Sequence, residues 1–199
     1  MHIAILTFDG FNELDSLIAF HLLRRVKRPE WRVSLCCPTP TVTSMNGVVM
    51  HAQSTLKDAH TADAVVVGSG SKTREMVGDE ALMAELHVDP SRQWIAAQCS
   101  GALVLAKLGL LRHQPACTDA KTRPWLEQAG VEVLDQPFHA RGNVATAGGC
   151  LGSQYLAAWI IARSEGVEAA REALNYVAPV GEKEIYVARA MDNIAPYLA

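Results

Sequence analysis

The sequence lacks a block of basic residues and a long apolar run. Its 18 Lys and Arg are set against 21 Asp and Glu, which gives a net charge of −3. This charge favours neither nucleic acid nor an anionic membrane surface as a partner, and a small neutral or mildly polar ligand fits better. No apolar run reaches the roughly 18 residues of a membrane span. The N-terminus has neither a charged segment nor a small-residue cleavage site, so we expect a cytoplasmic protein.

The signatures of disulfide, metal and nucleotide sites are also missing. The five cysteines are an odd number, and Cys36 and Cys37 are adjacent, which does not fit a disulfide framework. The seven histidines are scattered and form no metal-binding motif. The run from Gly68 to Thr73 superficially resembles a phosphate-binding loop, but Val66 and Ser71 stand where that motif needs glycine. We therefore predict free thiols, no metal and no cofactor.

What is present is an alternation of strand and helix patterns. A length of 199 residues with 49% hydrophobic content suits one domain over residues 1–199. Short apolar runs, separated by apolar residues at helical spacing, predict βαβ units and a mostly parallel sheet. The predicted strands of the first half are His2–Phe8, Trp31–Cys37, Ala64–Val67 and Trp94–Ala97. These patterns indicate an α/β fold.

The second half of the chain is predicted to be mainly helical towards its end. Its predicted elements are strands at 116–118 and 131–134 flanking a helix near Pro124–Gln128, a hairpin over Phe138–Thr146, and helices over Tyr155–Ala162 and Val167–Leu174. The run Pro179–Glu184 has the composition of a solvated loop.

Three segments are predicted to meet at one edge of the sheet. In open α/β sheets, ligands bind at the carboxyl ends of the strands, where residues 9–15, 68–71 and 99–101 lie. Cys99 comes directly between a strand and a helical segment, which predicts a nucleophile elbow with an exposed thiol. The amide of Ser100 and one from the glycine loop would form an oxyanion hole, and helix-terminus polarity would lower the thiol pKa. The alternative is that Cys99 is a buried small hydrophobe.

The residues around this cysteine resemble a known family. The runs Gln98-Cys99-Ser100-Gly101-Ala102-Leu103-Val104-Leu105-Ala106 and Leu108-Gly109-Leu110-Leu111 are similar to the nucleophile region of the ThiJ/PfpI family, in the class I glutamine amidotransferase-like superfamily. Further matches are Phe8-Asp9-Gly10, Glu13-Leu14-Asp15 and Val144-Ala145-Thr146-Ala147-Gly148-Gly149. The resemblance implies a flavodoxin-like three-layer sandwich, usually a homodimer, with a cysteine at the elbow and an acidic residue beside it.

The resemblance assigns the acidic position to Asp15, which would otherwise be interpreted as an ordinary first-turn helix residue. A carboxyl beside a thiolate has its pKa raised by desolvation and by like charge, so it can stay protonated and donate a hydrogen bond to the sulfur. Cys99 would then attack an electrophilic carbon, and Asp15 would return a proton. This is the logic proposed for isocyanide hydratase members of the family.

Two positions depart from the family pattern. Asp119 occupies a position where many members carry a histidine, so a Cys–His hydrolase mechanism is not supported, and Asp119 is either a second pocket carboxyl or a turn cap. Gly68-Ser69-Gly70 replaces the frequent Pro-Gly-Gly but keeps its last glycine, so Gly70 joins Ser100 as the oxyanion-hole candidate. Cys150, directly after two glycines, is a further pocket candidate.

Two function classes remain open from the sequence. The first is a cysteine-dependent enzyme of the hydratase, hydrolase or lyase type, in which Cys99 and Asp15 act on a small electrophile such as an isocyanide or a reactive aldehyde. The second is a redox or small-molecule sensor that uses an oxidisable Cys99 without turnover. A transcription regulator of this fold would need a DNA-binding domain, so direct nucleic-acid binding is disfavoured. Protease activity ranks last because the site lacks the histidine.

Overall fold

Strands and helices alternate along the chain. The computed structural model describes residues 1–198. The strands are β1 (His2–Leu6), β2 (Arg32–Cys37), β3 (Thr41–Thr43), β4 (Val49–His51), β5 (Ser54–Thr55), β6 (Ala64–Val67), β7 (Trp94–Gln98), β8 (Phe138–Arg141) and β9 (Val144–Ala147). The helices are α1 (Glu13–Leu23), α2 (Thr73–Met76), α3 (Glu80–Ala84), α4 (Gly101–Lys107), α5 (Arg123–Gln128), α6 (Ser153–Glu165), α7 (Val167–Val177) and α8 (Lys183–Ile194).

Seven of the strands form one mostly parallel sheet. Its order is β5-β2-β1-β6-β7-β9-β8, and only the β8–β9 hairpin is antiparallel. Strands β3 and β4 form a separate antiparallel hairpin. The sheet with helices on both faces confirms the predicted flavodoxin-like α/β sandwich.

Two apolar cores hold the sandwich together. Successive side chains of a strand point to opposite faces of the sheet, so Ile3 and Ile5 pack on one side and Ala4 and Leu6 on the other. The first core includes residues of α1, α6, α7 and α8, and the second includes residues of α4 and α5. Because β1 is buried on both faces, its sequence is a continuous apolar run rather than an alternating one.

The register of the central strands places the carboxyl ends of three strands side by side. Leu6 pairs with Val67, and Val67 pairs with Ala97, so β1 and β6 end level with each other and one residue before the end of β7. The segments that follow these strands therefore begin at one edge of the sheet. Phe11 links them further, because it forms isolated bridges with Ser44 of the β3–β4 turn and with Gly70.

Several predicted elements differ from the observed ones. The strands expected at 116–118 and 131–134 are wrong, since these segments share only one bridge, between Ala116 and Val133. Ala116 makes both hydrogen bonds of this bridge, and the Cys117 amide, which points to the opposite side, donates to Thr146 Oγ1 at 2.8 Å. The expected loop Pro179–Glu184 is cut short by α8, which begins at Lys183. Among residues 1–198, no helix has both the length and the apolar character to cross a membrane.

Candidate functional site

Cys99 lies at a strained corner between β7 and α4. Its φ is +44°, in the left-handed region that few residues other than glycine adopt. Two hydrogen bonds hold the corner: the Cys99 amide donates to Ala147 O at 2.8 Å, and Thr118 Oγ1 donates to Cys99 O at 2.7 Å. Backbone strain at one residue is stored where the surroundings enforce it, often at functional sites. The predicted nucleophile elbow is therefore present.

A glycine is required directly after the elbow. A Cβ atom on Gly101 would lie 2.6 Å from Val67 O and 2.9 Å from Gly68 O. This close approach lets the first turn of α4 pack against the end of β6. It also fixes the distance between Cys99 and the loop that follows β6.

Asp15 and Cys150 lie beside the Cys99 thiol. One carboxylate oxygen of Asp15 and the sulfurs of Cys99 and Cys150 lie within 4.8 Å of one another. Asp15 is fully buried on α1, Cys99 is 4% exposed, and Cys150 is half-buried. The structure thus brings together three residues that the sequence placed on separate segments.

The environment of Asp15 favours its neutral form. Burial raises the pKa of the Asp15 carboxyl, while a hydrogen bond donated by Ser69 Oγ to Asp15 Oδ2 acts in the opposite direction. The other oxygen, Oδ1, is buried and has no hydrogen-bond partner among residues 1–198. A carboxyl with one unsatisfied oxygen in an apolar environment binds a proton more readily than it does in water.

The expectation of an exposed Cys99 with a lowered pKa is wrong for this structure. Burial raises the pKa of the Cys99 thiol well above its ordinary value, and the negative charge of Asp15 raises it further. Gln98 Nε2 donates to Cys99 Sγ at 3.3 Å, which favours the thiolate. The loss of hydration on burial raises the pKa of the thiol by more than this hydrogen bond and the N-terminus of the short helix α4 lower it.

Asp15 and Cys99 titrate as one unit. Two acids this close in a buried site cannot both be ionised without strong repulsion, so the pair holds one proton over a wide pH range. That proton resides on either the carboxyl or the thiol. When it is on Asp15, the thiolate has a neutral neighbour and the repulsive contribution to the pKa of Cys99 disappears. The pair can therefore supply a thiolate even though each group alone resists ionisation.

Cys99 borders a cleft of about 400 Å³, and Asp15 lies buried behind the sulfur. The walls of the cleft include Cys99, Cys150, Asp119 and Trp125. The Asp119 carboxylate accepts hydrogen bonds from the amides of Lys121 and Thr122 and from the Thr122 hydroxyl. Asp119 thus lines the cleft and also caps the turn before α5, which combines the two roles left open by the sequence.

The two oxyanion-hole candidates also border the cleft. The Gly70 amide donates to Ser100 Oγ at 3.2 Å, and this hydroxyl is also 2.9 Å from Thr73 Oγ1. The Ser100 side chain therefore occupies the position that a substrate oxygen would take at the Gly70 amide. Gly70 itself is tightly placed, since a Cβ there would lie 2.4 Å from Gly10 O.

Cys150 follows Gly149, whose φ is +78°, in a short 3₁₀ turn that leads into α6. Asn12 Nδ2 donates to Cys150 Sγ at 3.2 Å, while Asn12 Oδ1 caps α1 by accepting from the Leu14 amide. Two thiols and a carboxylate are also the donor types that bind zinc and other thiophilic cations.

Three supporting residues were not found by sequence reasoning. Ser69 hydrogen-bonds Asp15, Gln98 donates to Cys99, and Asn12 donates to Cys150. The signal for Ser69 was available, because a residue with a hydroxyl group replaces the middle glycine of the frequent Pro-Gly-Gly in the loop after β6. Gln98 and Asn12 adjoin residues already identified, but the directions of their side chains depend on the packed fold.

Comparison with solved structures supports the fold. The chain is similar to a ThiJ/PfpI family protein from Pseudomonas syringae, with 17% identity, a TM-score of 0.77 and coverage of 99% of this chain and 87% of that chain. It is similar to a cysteine-to-alanine mutant of a DJ-1 superfamily protein from Salmonella typhimurium, with 23% identity, a TM-score of 0.76 and coverage of 88% and 97%. It is also similar to Drosophila melanogaster DJ-1beta, with 21% identity, a TM-score of 0.75 and coverage of 88% of this chain and 96% of that chain.

No protein of curated function matches the chain. The sequence model of the DJ-1/PfpI family matches residues 1–163, a stretch that contains Asp15, the Cys99 elbow and Cys150. This match covers most of the chain and agrees with the resemblance drawn from the residues around Cys99. The chain therefore belongs to the DJ-1/PfpI family.

Proposed function

We propose that this protein is a cysteine-dependent enzyme that acts on a small, uncharged electrophile, with Cys99 as nucleophile and Asp15 as proton donor and acceptor. The observation that carries the proposal is the buried Asp15 carboxyl beside the thiol of a positive-φ elbow that borders a cleft. Burying a carboxyl beside a thiol costs free energy of folding. A nucleophile that shares its proton with the carboxyl is a functional reason for this arrangement.

The reaction begins when the proton of the pair is on Asp15. The Cys99 thiolate attacks the electrophilic carbon and forms a C–S bond, while the displaced electron pair moves to the adjacent nitrogen or oxygen. Asp15 gives its proton to the substrate. Its carboxylate then takes a proton from water as the water attacks the same carbon, and the C–S bond breaks to release the thiolate. The sum is addition of water, with the pair returned to its initial state.

The amides of Gly70 and Ser100 are the proposed stabilisers of negative charge on the substrate. For the Gly70 amide to act, the Ser100 hydroxyl has to rotate away and leave this donor to the substrate. Thr73 Oγ1, 2.9 Å from Ser100 Oγ, can keep the rotated hydroxyl hydrogen-bonded. A donor of this type contributes on the order of 10²–10³ in rate when it is aimed at the developing charge.

The carboxylates nearest the sulfur disfavour an anionic substrate. Asp15 and Asp119 both raise the pKa of the Cys99 thiol through their negative charge, so an anionic substrate would be repelled. The cleft is small and includes the apolar side chains Met45 and Trp125. Isocyanides and reactive aldehydes have the required size, neutrality and electrophilic carbon.

We also propose that two copies of the chain associate through α1 and the β3–β4 turn. Exposed apolar side chains of these two segments lie on neighbouring elements: Leu14, Leu17, Met45, Val48 and Val49. Glu13 ties the segments together by accepting hydrogen bonds from Ser44 Oγ and Asn46 Nδ2. A second copy is the occupant favoured by the family resemblance, and Met45 would bring the interface to the edge of the cleft.

A sensor role for an oxidisable Cys99 is the second candidate. It is favoured by the Gln98 Nε2 donor at 3.3 Å, because the same donor that stabilises a thiolate also stabilises an oxidised sulfur. Turnover separates the candidates, since a sensor reacts once per reduction whereas an enzyme converts many substrate molecules.

The test is a panel of neutral isocyanides and small aldehydes assayed with wild type, Cys99→Ala and Asp15→Asn. Cys117→Ala is the matched control because Cys117 is fully buried and does not line the cleft. We expect turnover by wild type and Cys117→Ala, none by Cys99→Ala, and a loss of about 10²–10⁴ in Asp15→Asn. Turnover that survives Cys99→Ala would show that another group performs the chemistry.

A further inference from the structure

We infer that Cys150 is the resolving thiol for Cys99, so that the site reduces hydroperoxides through an intramolecular Cys99–Cys150 disulfide. This inference rests on the proposed function, because Cys99 is the nucleophile in both. The inference assigns a role to a second sulfur, that of Cys150, and names the peroxide oxygen as the electrophile.

The positions of the two sulfurs support the pairing. They lie within 4.8 Å of each other, and both residues border the same cleft. A disulfide bond is about 2.05 Å long, so one side chain has to move by a few ångströms. Cys150 is the one that can move, because it is half-buried in a short 3₁₀ turn, whereas Cys99 is fixed in the elbow. Rotation about the Cα–Cβ bond of a cysteine moves the sulfur by this distance.

Each sulfur receives a hydrogen bond from a carboxamide. Gln98 Nε2 donates to Cys99 Sγ at 3.3 Å, and Asn12 Nδ2 donates to Cys150 Sγ at 3.2 Å. Both donors are held in turn: Gln98 Nε2 also donates to Gly149 O at 2.7 Å, and Asn12 Oδ1 accepts from the Leu14 amide. The proposed reaction requires each sulfur to be a thiolate at one step. The carboxamide of Gln98 or Asn12 donates the hydrogen bond that stabilises that thiolate.

Asp15 is placed to move protons for both thiols. Its carboxylate lies within 4.8 Å of each sulfur, and its Oδ1 atom has no hydrogen-bond partner among residues 1–198. A buried carboxylate this close to two thiols can accept a proton from either one and deliver it to a leaving group.

The first step is oxidation of Cys99. The thiolate attacks the terminal oxygen of a hydroperoxide, ROOH, so that an S–O bond forms and the O–O bond breaks. The RO⁻ leaving group takes the proton of Asp15 and departs as ROH. Cys99 is then a sulfenic acid, and Asp15 is a carboxylate. Sulfur has lost two electrons, and the peroxide has gained them.

The second step is formation of the disulfide. The Asp15 carboxylate takes the proton of the Cys150 thiol, and the new thiolate attacks Cys99 Sγ. The S–S bond forms, the S–O bond breaks, and the departing hydroxide takes the proton back from Asp15 as water. The sum is two thiols and ROOH giving a disulfide, ROH and water. Cys99 and Asp15 begin as a thiolate and a carboxyl, and Asp15 ends as a carboxylate. An external thiol reductant restores both cysteines.

The remaining cysteines do not compete for this role. Cys36, Cys37 and Cys117 are at most 2% exposed and do not border the cleft. Within residues 1–198, the Asp15–Cys99–Cys150 group is the one set of three His, Cys, Asp or Glu side chains whose ligand atoms lie this close together. A disulfide formed by peroxide should therefore link one defined pair.

The experiment treats wild type, Cys150→Ser and Cys150→Ala with hydrogen peroxide in the presence of a metal chelator, which suppresses metal-catalysed thiol oxidation. Cys117→Ala is the matched control. Non-reducing peptide mass spectrometry follows the Cys99–Cys150 cross-link and the sulfinic acid of Cys99. Alkylation of Cys99 by iodoacetamide is measured in parallel on untreated protein.

We expect the cross-linked peptide in wild type and Cys117→Ala, with full recovery of both thiols on reduction. In both Cys150 variants, Cys99 should proceed to sulfinic acid about tenfold faster or more, because its sulfenic acid has no thiol to resolve it. Equal rates of sulfinic acid formation in all proteins, without a cross-link, would overturn the resolving role and leave the proposed nucleophile intact. A Cys99 that reacts with neither peroxide nor iodoacetamide would overturn both proposals.

Discussion

Asp15 and Cys99 form a buried acid pair, and no cationic side chain of residues 1–198 forms a salt bridge with Asp15 or contributes to the pKa shift of either residue. Burial raises the pKa of both groups, and the negative charge of Asp15 is the second contribution that raises the pKa of Cys99. The two therefore lose their protons in two well-separated steps that belong to the pair. After the first step the site carries a single negative charge, and the proposed mechanism requires that this charge reach the sulfur as well as the carboxylate.

The pH dependence of Cys99 alkylation tests this sharing. In wild type, the thiolate fraction of the singly charged pair does not change with pH, so alkylation should reach a plateau across neutral pH and rise again at alkaline pH. Asp15→Asn removes the shared proton and the like charge. We expect the plateau to disappear and one titration to replace it, with a rate at about pH 6 at least tenfold below wild type. Iodoacetamide labelling read by peptide mass spectrometry gives both profiles.

The opposite outcome has a distinct signature. If the carboxylate only opposes thiolate formation, wild type and Asp15→Asn should each show a single alkaline rise. The rise of the variant would then lie at lower pH because the repelling charge is gone. That pattern would contradict the proton-sharing mechanism and leave Cys99 as an ordinary buried thiol.

Ser69 is predicted to set the acid limit of the plateau. Its hydroxyl donates to Asp15 Oδ2 and thereby lowers the pKa of a carboxyl that burial raises. Ser69→Ala should raise this pKa further, so the plateau of Cys99 alkylation should begin at higher pH. Ser69→Thr keeps the hydroxyl and is the control. An unchanged profile in Ser69→Ala would show that this hydrogen bond does not control the ionisation of the pair.

The elbow was predictable from the sequence because local pattern determines it, whereas the carboxyl of Asp15 was assigned by the family resemblance. A strand followed by Cys99, Ser100 and Gly101 indicates a sharp corner, and the structure gives Cys99 a φ of +44°. The register of the parallel strands then places the loops after β1, β6 and β7 at one edge. Neither inference requires the direction of any side chain.

The electrostatics of the site could not be predicted in the same way. The sequence favoured an exposed thiol with a lowered pKa, whereas Cys99 is 4% exposed and its pKa is raised. Burial depends on how α1, the loop after β6 and the turn at Cys150 close over the sulfur, which is a property of tertiary packing. The β3–β4 hairpin was not predicted, and α8 was expected only as part of a helical end of the chain without bounds, because short or polar segments have weak periodicity.

Leu17 tests the proposed association of two copies. It is an exposed apolar residue of α1, one helical turn after Glu13, which accepts a hydrogen bond from Asn46 of the β3–β4 turn. Leu17→Glu would place a charge in the interface, so we expect wild type to sediment as a dimer and the variant as a monomer. Val180→Glu is the control, because Val180 is 95% exposed in a separate loop. A monomeric wild type, or a Leu17→Glu variant that remains dimeric, would refute this interface.

The buried thiols outside the site are predicted to make the fold sensitive to alkali. Burial raises the pKa of Cys37 to about 11 and that of Cys117 to about 12, from an ordinary value of 9.0. Between pH 9.0 and the raised pKa of each thiol, the folded state keeps a proton that the unfolded state has released. The free energy of unfolding therefore falls as pH rises through this range. Each thiol contributes up to about 1.4 kcal/mol per pH unit in this range.

Cys117→Ala should remove one of these contributions. The variant loses packing at neutral pH, but its free energy of unfolding should fall less steeply than that of wild type above about pH 9. Urea titrations at a series of alkaline pH values measure the difference. Val66→Ala is the control, because it truncates a fully buried side chain that does not titrate and should lower stability by the same amount at every pH. If wild type and Cys117→Ala lost stability in parallel, the Cys117 thiol would have to be accessible to hydroxide in the folded state, and its complete burial would be wrong.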